Sequence, residues 1–162
     1  MNKKTDLASV TDRLRALCSR REYCSSDILS KAQRALDGDM TSAAEVLDIL
    51  IKEKYVDDFR YCSAYVRDKS AISGWGSTKI RYMLSAKGIA RDVIDKALLE
   101  VDEGKAEERF DKLMRNKYRA LKEDPQCRLK LLRFALGRGY QYDEAKSMID
   151  TILSEKSEEN EN

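Results

Sequence analysis

Histidine is missing from all 162 residues of the chain. Nucleophilic triads and most acid–base schemes therefore lose their usual base, and zinc loses its commonest nitrogen ligand. Four cysteines stand at 18, 24, 62 and 127, with no CxxC pair among them. That argues against a zinc site and makes them small apolar core residues of a reducing cytosol. Proline occurs once and glycine seven times, which leaves little room for the turns of a sheet. No apolar run approaches a membrane span, and the opening MNKKTDLASVTDRL is too polar for a signal peptide. The expectation is a cytoplasmic, monomeric protein away from any membrane, with no cofactor, no metal and no catalytic site.

What is present is helix-forming and charged. Leu, Ala, Lys, Glu, Arg and Asp dominate, and 37% of residues are charged, which favours an all-α protein of extended shape. Net charge is only +2, so any basic surface must come from local segregation. Leu7, Val10, Leu14 and Leu17 recur at helical spacing. Ser25, Ser26 and Asp27 offer an N-cap for a short helix that Gly38 breaks, and Ser42-Ala-Ala-Glu45 reads as a capping box. A second trio runs through Phe59, Cys62, Tyr65 and Val66, then Ile80, Met83 and Leu84, then Val93, Ile94, Ala97 and Leu98. A third opens with Phe110, Leu113, Met114, Tyr118 and Leu121. Asp124-Pro125 starts its middle helix, and Ala145, Met148, Ile149 and Ile152 form its last.

An internal repeat ties these trios together. A shift of 51 residues lays LSAKGIARDVIDKAL (84–98) over ALGRGYQYDEAKSMI (135–149), so Lys87-Gly88-Ile89 falls on Arg138-Gly139-Tyr140 and Asp92 on Asp143. Each glycine supplies a left-handed helix stop, the apolar residue after it plugs the corner, and the aspartate caps the next helix. The predicted organisation is three tandem three-helix units, 7–56, 57–103 and 104–154, with a frayed polar tail at 155–162.

Three stretches invite chemistry. Gly74-Trp75-Gly76 lacks the preceding strand, the GxGxxG and the GK[ST] of phosphate loops; it reads as a helix junction anchored by a packed Trp75, or as a partner-facing tryptophan. Asp57-Asp58 caps the helix near Phe59 or binds a divalent metal. Lys112, Arg115, Arg119 and Lys122 line the face opposite Phe110 and Met114, and Lys130 and Arg133 share a face of the next helix. That stripe is either a solvated charged face or a surface for nucleic acid or an acidic partner.

Lys54-Tyr55-Val56-Asp57-Asp58-x-x-Tyr61-Cys62 resembles the G-Y-[ILV]-D-D-x-x-[FYW]-A junction of the bacterial RecX regulatory proteins. Trp75-Gly76-x-x-Lys79-Ile80-x-x-x-Leu84-x-x-Lys87-Gly88-Ile89 resembles their central signature, and Arg138-Gly139-Tyr140 its third-repeat counterpart. The likeness runs from about residue 13 to 153. Lys54 and Cys62 depart from the pattern, as does the segment 30–39. The resemblance implies three tandem three-helix bundles in an elongated, curved row. It implies a regulator that binds the RecA filament, contacts RecA and the enclosed DNA, and inhibits ATP hydrolysis, strand exchange and SOS co-protease activity. Lys79, Lys87 and Arg138 then join the candidate partner or DNA surface. A stand-alone, sequence-independent nucleic-acid-binding protein is the other reading.

Overall fold

The computed structural model of the chain describes residues 6–161. Among these residues there are nine α-helices and no strand. In chain order they are α1 (Leu7–Cys18), α2 (Ser25–Ala35), α3 (Met40–Lys52), α4 (Asp58–Ala71), α5 (Ser77–Ala86), α6 (Arg91–Leu98), α7 (Glu103–Leu121), α8 (Cys127–Gly137) and α9 (Tyr142–Asn160). The all-α class and the three successive trios follow the apolar spacing. None of these helices is long and apolar enough to cross a membrane.

Packing divides the chain into two compact units. One comprises the described residues up to Ala64 with Leu84–Ala97; the other comprises Tyr65–Met83 with the described residues from Leu98 onward. The first unit is built on Val10 and Leu14 of α1, Ile28 and Ala32 of α2, and Ala43, Val46 and Leu50 of α3, closed by Tyr23 and Val56. These are the residues whose period of three and four set the helices in the first place. The second unit packs Phe110 and Met114 of α7 against Leu131 and Ala135 of α8 and Ala145, Ile149 and Ile152 of α9. Cys24 and Cys62 are buried, Cys18 and Cys127 half-buried, and all four are free thiols. Burial pushes the Cys62 thiol up to about 11.

The helix starts differ from expectation. Helix α2 begins at Ser25 itself, with Cys24 at the cap position and no side-chain cap. Ser25 and Ser26 serve long-range contacts instead: the Ser25 N–H donates to Asp58 Oδ1 (2.7 Å) and the Ser26 hydroxyl to the Lys87 carbonyl (2.7 Å). Helix α3 is capped by Asp39, which accepts from the Ser42 N–H at 3.1 Å. Ser42 therefore lies inside the helix rather than opening a capping box. Asp102 caps α7 in the same way, eight residues before Phe110. Asp124 forms a turn onto the Gln126 N–H (2.8 Å) instead of capping α8 directly. Gln141 and Glu144 make the reciprocal box at α9, while Asp92 and Asp143 sit in first turns, where their charge suits the helix dipole. The polar end that looked like a tail continues α9 to Asn160, with Lys156 paired to Glu159 one turn on (2.8 Å).

Left-handed residues follow α2, α3, α4, α5 and α8. Gly88, after α5, has φ 74°. After α3 the left-handed residue is Lys54, φ 63°, at the position where the family pattern carries glycine. The Tyr55 N–H reaches back to the Leu50 carbonyl (2.9 Å), the long closing bond of such a terminus.

Candidate partner-binding surface

In the second unit the two glycine signatures meet. The Gly76 N–H donates to the Arg138 carbonyl (2.8 Å) and the Thr78 N–H to the Gly139 carbonyl (3.2 Å), so the start of α5 is bonded to the end of α8. The backbones touch. A methyl group at Gly76 would stand 2.5 Å from the Gly139 carbonyl carbon and 2.7 Å from the Tyr140 nitrogen; one at Gly139 would stand 2.5 Å from the Lys79 nitrogen. Glycine is required on both sides for backbone to approach backbone.

The loop between α4 and α5 is fastened by its carbonyls. Arg109 Nε donates to the Ile72 carbonyl (3.0 Å), Arg138 to that of Ser73 (2.9 Å), and the Tyr140 hydroxyl to that of Gly74 (3.0 Å). The Trp75 N–H turns inward to the Lys69 carbonyl (2.8 Å). Tyr140 stacks on Phe110, ring centres 3.7 Å apart and planes 13° apart. Burial, with Glu144 nearby, pushes the Tyr140 phenol up to about 12 despite Arg138 and Arg109, so it stays a hydrogen-bond donor at neutral pH.

Trp75 is half-buried rather than a sealed core anchor. Its ring lies edge-on to Tyr65 (6.4 Å, 65°), and two ammonium groups stand over it, Lys79 Nζ at 4.3 Å and Lys69 Nζ at 4.6 Å. A second basic–aromatic group lies beside Gly139. The Arg138 guanidinium is 5.3 Å and Lys117 Nζ 5.2 Å from the centre of the Phe134 ring. Cations over aromatic faces are weakly held individually and leave the charge open to a further partner.

The expected basic stripe on α7 is largely neutralised within the protein. Lys112 pairs with Glu108 (3.1 Å). Arg115 grips Asp111 (2.9 Å) and reaches across to Glu155 of α9 (2.6 Å), which holds the Glu155 carboxyl below the usual range. Arg119 bonds Asn116 (3.0 Å), and Lys122 is exposed at the end of the helix. On α8, Lys130 is bound to Asp124, whereas Arg133 is exposed. In the first unit, Lys87 binds both oxygens of Asp27 (3.0 and 3.2 Å), and that carboxylate raises its pKa. The remaining signature residues are architectural. Tyr55 packs on the first core, and Asp57 caps α4 by accepting from the Arg60 N–H (3.0 Å). Asp58 holds Ser25, while Ile80, Leu84 and Ile89 are buried. Asp57 and Asp58 are thus used as backbone acceptors. No cluster of three acidic or thiol side chains suited to a metal ion occurs among the described residues.

A solved structure titled "Crystal structure of regulatory protein RecX" is similar over 90% of this chain and 71% of its own, with TM-score 0.78 and 24% identity. RecX from Lactobacillus salivarius is similar over 92% of this chain and 95% of its own, with TM-score 0.72 and 22% identity. At these identities the likeness concerns the fold. The family description "RecX, second three-helix domain" matches residues 57–98. "Regulatory protein RecX" of Pseudomonas putida is 32% identical over 138 residues, covering 85% of this chain and 85% of the relative. The chain belongs to the RecX family. RecX relatives from Clostridium tetani and Clostridium botulinum are 29% and 35% identical, and this chain spans only 54% and 56% of their length. All three relatives are named as regulatory proteins. Within RecX terms, the Trp75–Lys79 start of the central signature and its third-repeat counterpart Arg138-Gly139-Tyr140 are the two sides of the seam just described. Lys69, Lys117 and Phe134 were missed by sequence reading. Lys69 carries a usable signal, standing near the end of α4 and six residues before the lone tryptophan.

Proposed function

We propose that this protein regulates the RecA recombinase by binding its nucleoprotein filament and inhibiting ATP hydrolysis, strand exchange and SOS co-protease activity. The single observation that carries the reading is the fastened loop of the second unit. It holds a half-exposed indole beneath two lysine ammonium groups, next to Phe134 with Arg138 and Lys117. Rings interleaved with cations suit a polyanionic strand, whose phosphates pair with the cations while its bases meet aromatic faces. Nothing in this arrangement resembles a nucleophile activated by a base. Lys69 and Lys79 are the principal contacts; Arg119, Lys122 and Arg133 add exposed charge. Lys87, Lys112, Arg115 and Lys130 act mainly through their internal carboxylates.

The same surface also favours a second reading, a stand-alone nucleic-acid-binding protein. Binding to bare single-stranded DNA and to the same DNA coated by RecA separates the two. The filament reading expects coated DNA to be preferred by roughly tenfold or more, about 1.4 kcal/mol. Equal affinities would sink it and leave the second. In either case Lys69→Gln with Lys79→Gln should lower the salt dependence by about two units of slope, and Lys112→Gln should leave it unchanged.

A further inference from the structure

The second unit carries a groove of about 790 Å³ whose charge is opposite to that of the basic–aromatic surface. Trp75, Ile80, Phe110 and Met148 contribute apolar side chains to it. Glu103, Glu107, Glu108, Asp111 and Glu144 line it as well, and no lysine or arginine does. In a chain with 31 basic residues that segregation is a property of the groove, not of the composition. Three of the acids are already engaged: Glu108 with Lys112, Asp111 with Arg115, and Glu144 in the cap of α9. Glu103 and Glu107 are exposed one turn apart on α7, and neither has a hydrogen-bond or ion-pair partner among the described residues. Like charges at that spacing repel, so an occupant that neutralises them is favoured.

We propose that this groove docks a short basic amphipathic segment of a partner protein, with aliphatic side chains against Trp75, Phe110 and Met148 and lysine or arginine groups on Glu103 and Glu107. Both halves of the recognition are needed. A groove without carboxylates would accept any apolar segment, and carboxylates without an apolar floor would hold a cation only loosely. The carboxylates disfavour nucleic acid on this face; the acidic groove and the basic–aromatic surface meet at Trp75, which borders both. The inference stands independently of the RecA reading.

Trp75 is the only tryptophan and serves as the reporter. The full-length protein is titrated with a synthetic peptide of leucines interleaved with lysines, free of aromatic residues, and Trp75 emission is followed. A saturable change is expected, and Glu103→Gln with Glu107→Gln should weaken binding by roughly tenfold, the sum of two exposed ion pairs. Both glutamates are exposed, so helicity of the double variant should match wild type. The peptide with glutamate for lysine, and the one with serine for leucine, should each leave the emission unchanged. Wild-type affinity in the double variant would overturn the proposal, as would binding of either control peptide or no response to the basic one. Self-association blocked by the same two substitutions would assign the groove to a second copy of the chain instead.

Discussion

Gly76→Ala tests the seam between α5 and α8 without touching any side chain. Gly76 has no left-handed backbone to protect, so alanine is conformationally acceptable there and the entire cost is steric. The new methyl would lie 2.5 Å from the Gly139 carbonyl carbon and 2.7 Å from the Tyr140 nitrogen. Both are backbone atoms that cannot swing aside. Relief requires the two segments to separate, which stretches the Gly76–Arg138 and Thr78–Gly139 hydrogen bonds. Losing most of two backbone hydrogen bonds costs about 1–3 kcal/mol, and residual overpacking brings the expected loss to about 2–4 kcal/mol. Gly88→Ala is the control. Its φ of 74° disfavours alanine, but nothing lies within 4 Å of the added methyl, so about 1 kcal/mol is expected. Urea denaturation followed by circular dichroism gives the overall loss. Trp75 emission, one residue from the substitution, reports whether the second unit loosens first. If Gly76→Ala proves no worse than Gly88→Ala, the seam is not the close backbone contact described here.

Lys54→Gly should stabilise by about 0.5–1 kcal/mol, because glycine relieves the left-handed strain that lysine accepts at φ 63°; a lower urea midpoint for the glycine variant would count against this. Tyr140→Phe should cost about 1 kcal/mol at neutral pH through the lost bond to the Gly74 carbonyl, while its stacking on Phe110 survives. Its pH profile adds a second check. The folded-state pKa of about 12 lies above the ordinary 10, so the stability contributed by the neutral phenol is complete below pH 10 and fades as pH rises toward 12. The wild-type advantage over Tyr140→Phe, measured by thermal melting, should shrink through that window.

Helix number and placement were legible in the sequence because period and punctuation agree. Apolar residues three and four apart set each buried face, and Gly38, Gly88 and Gly139 each take positive φ near a helix end. Caps were less legible. Near each start several residues can accept an amide N–H, and only the path of the incoming chain selects Asp39 over Ser42, or Gln141 over Asp143. The α7 stripe was legible as a face, but its internal partners were not. Arg115 finds Glu155 forty residues away, a pairing that local spacing does not encode. The capture of the 72–74 carbonyls was invisible for a deeper reason: every residue has a carbonyl, so no side chain announces which ones will be held. Trp75 stood between a packed anchor and a partner-facing ring. Its area suggested a core anchor, whereas the fold leaves the ring half open beneath two lysines.

The division into compact units runs through α4, α5 and α6, not through the turns between trios. Repetition in the sequence and compact packing in the folded chain therefore do not share boundaries. A fragment beginning at residue 102 would contain a complete third trio, yet Arg109, Arg138 and Tyr140 would lose the carbonyls they hold, and Gly139 would lose its contact with Lys79. The last trio is thus fastened to the residues before it. Residues 65–83 are as much its foundation as its own three helices, and recombination that shuffled whole trios would have to bring both sides of the glycine seam along.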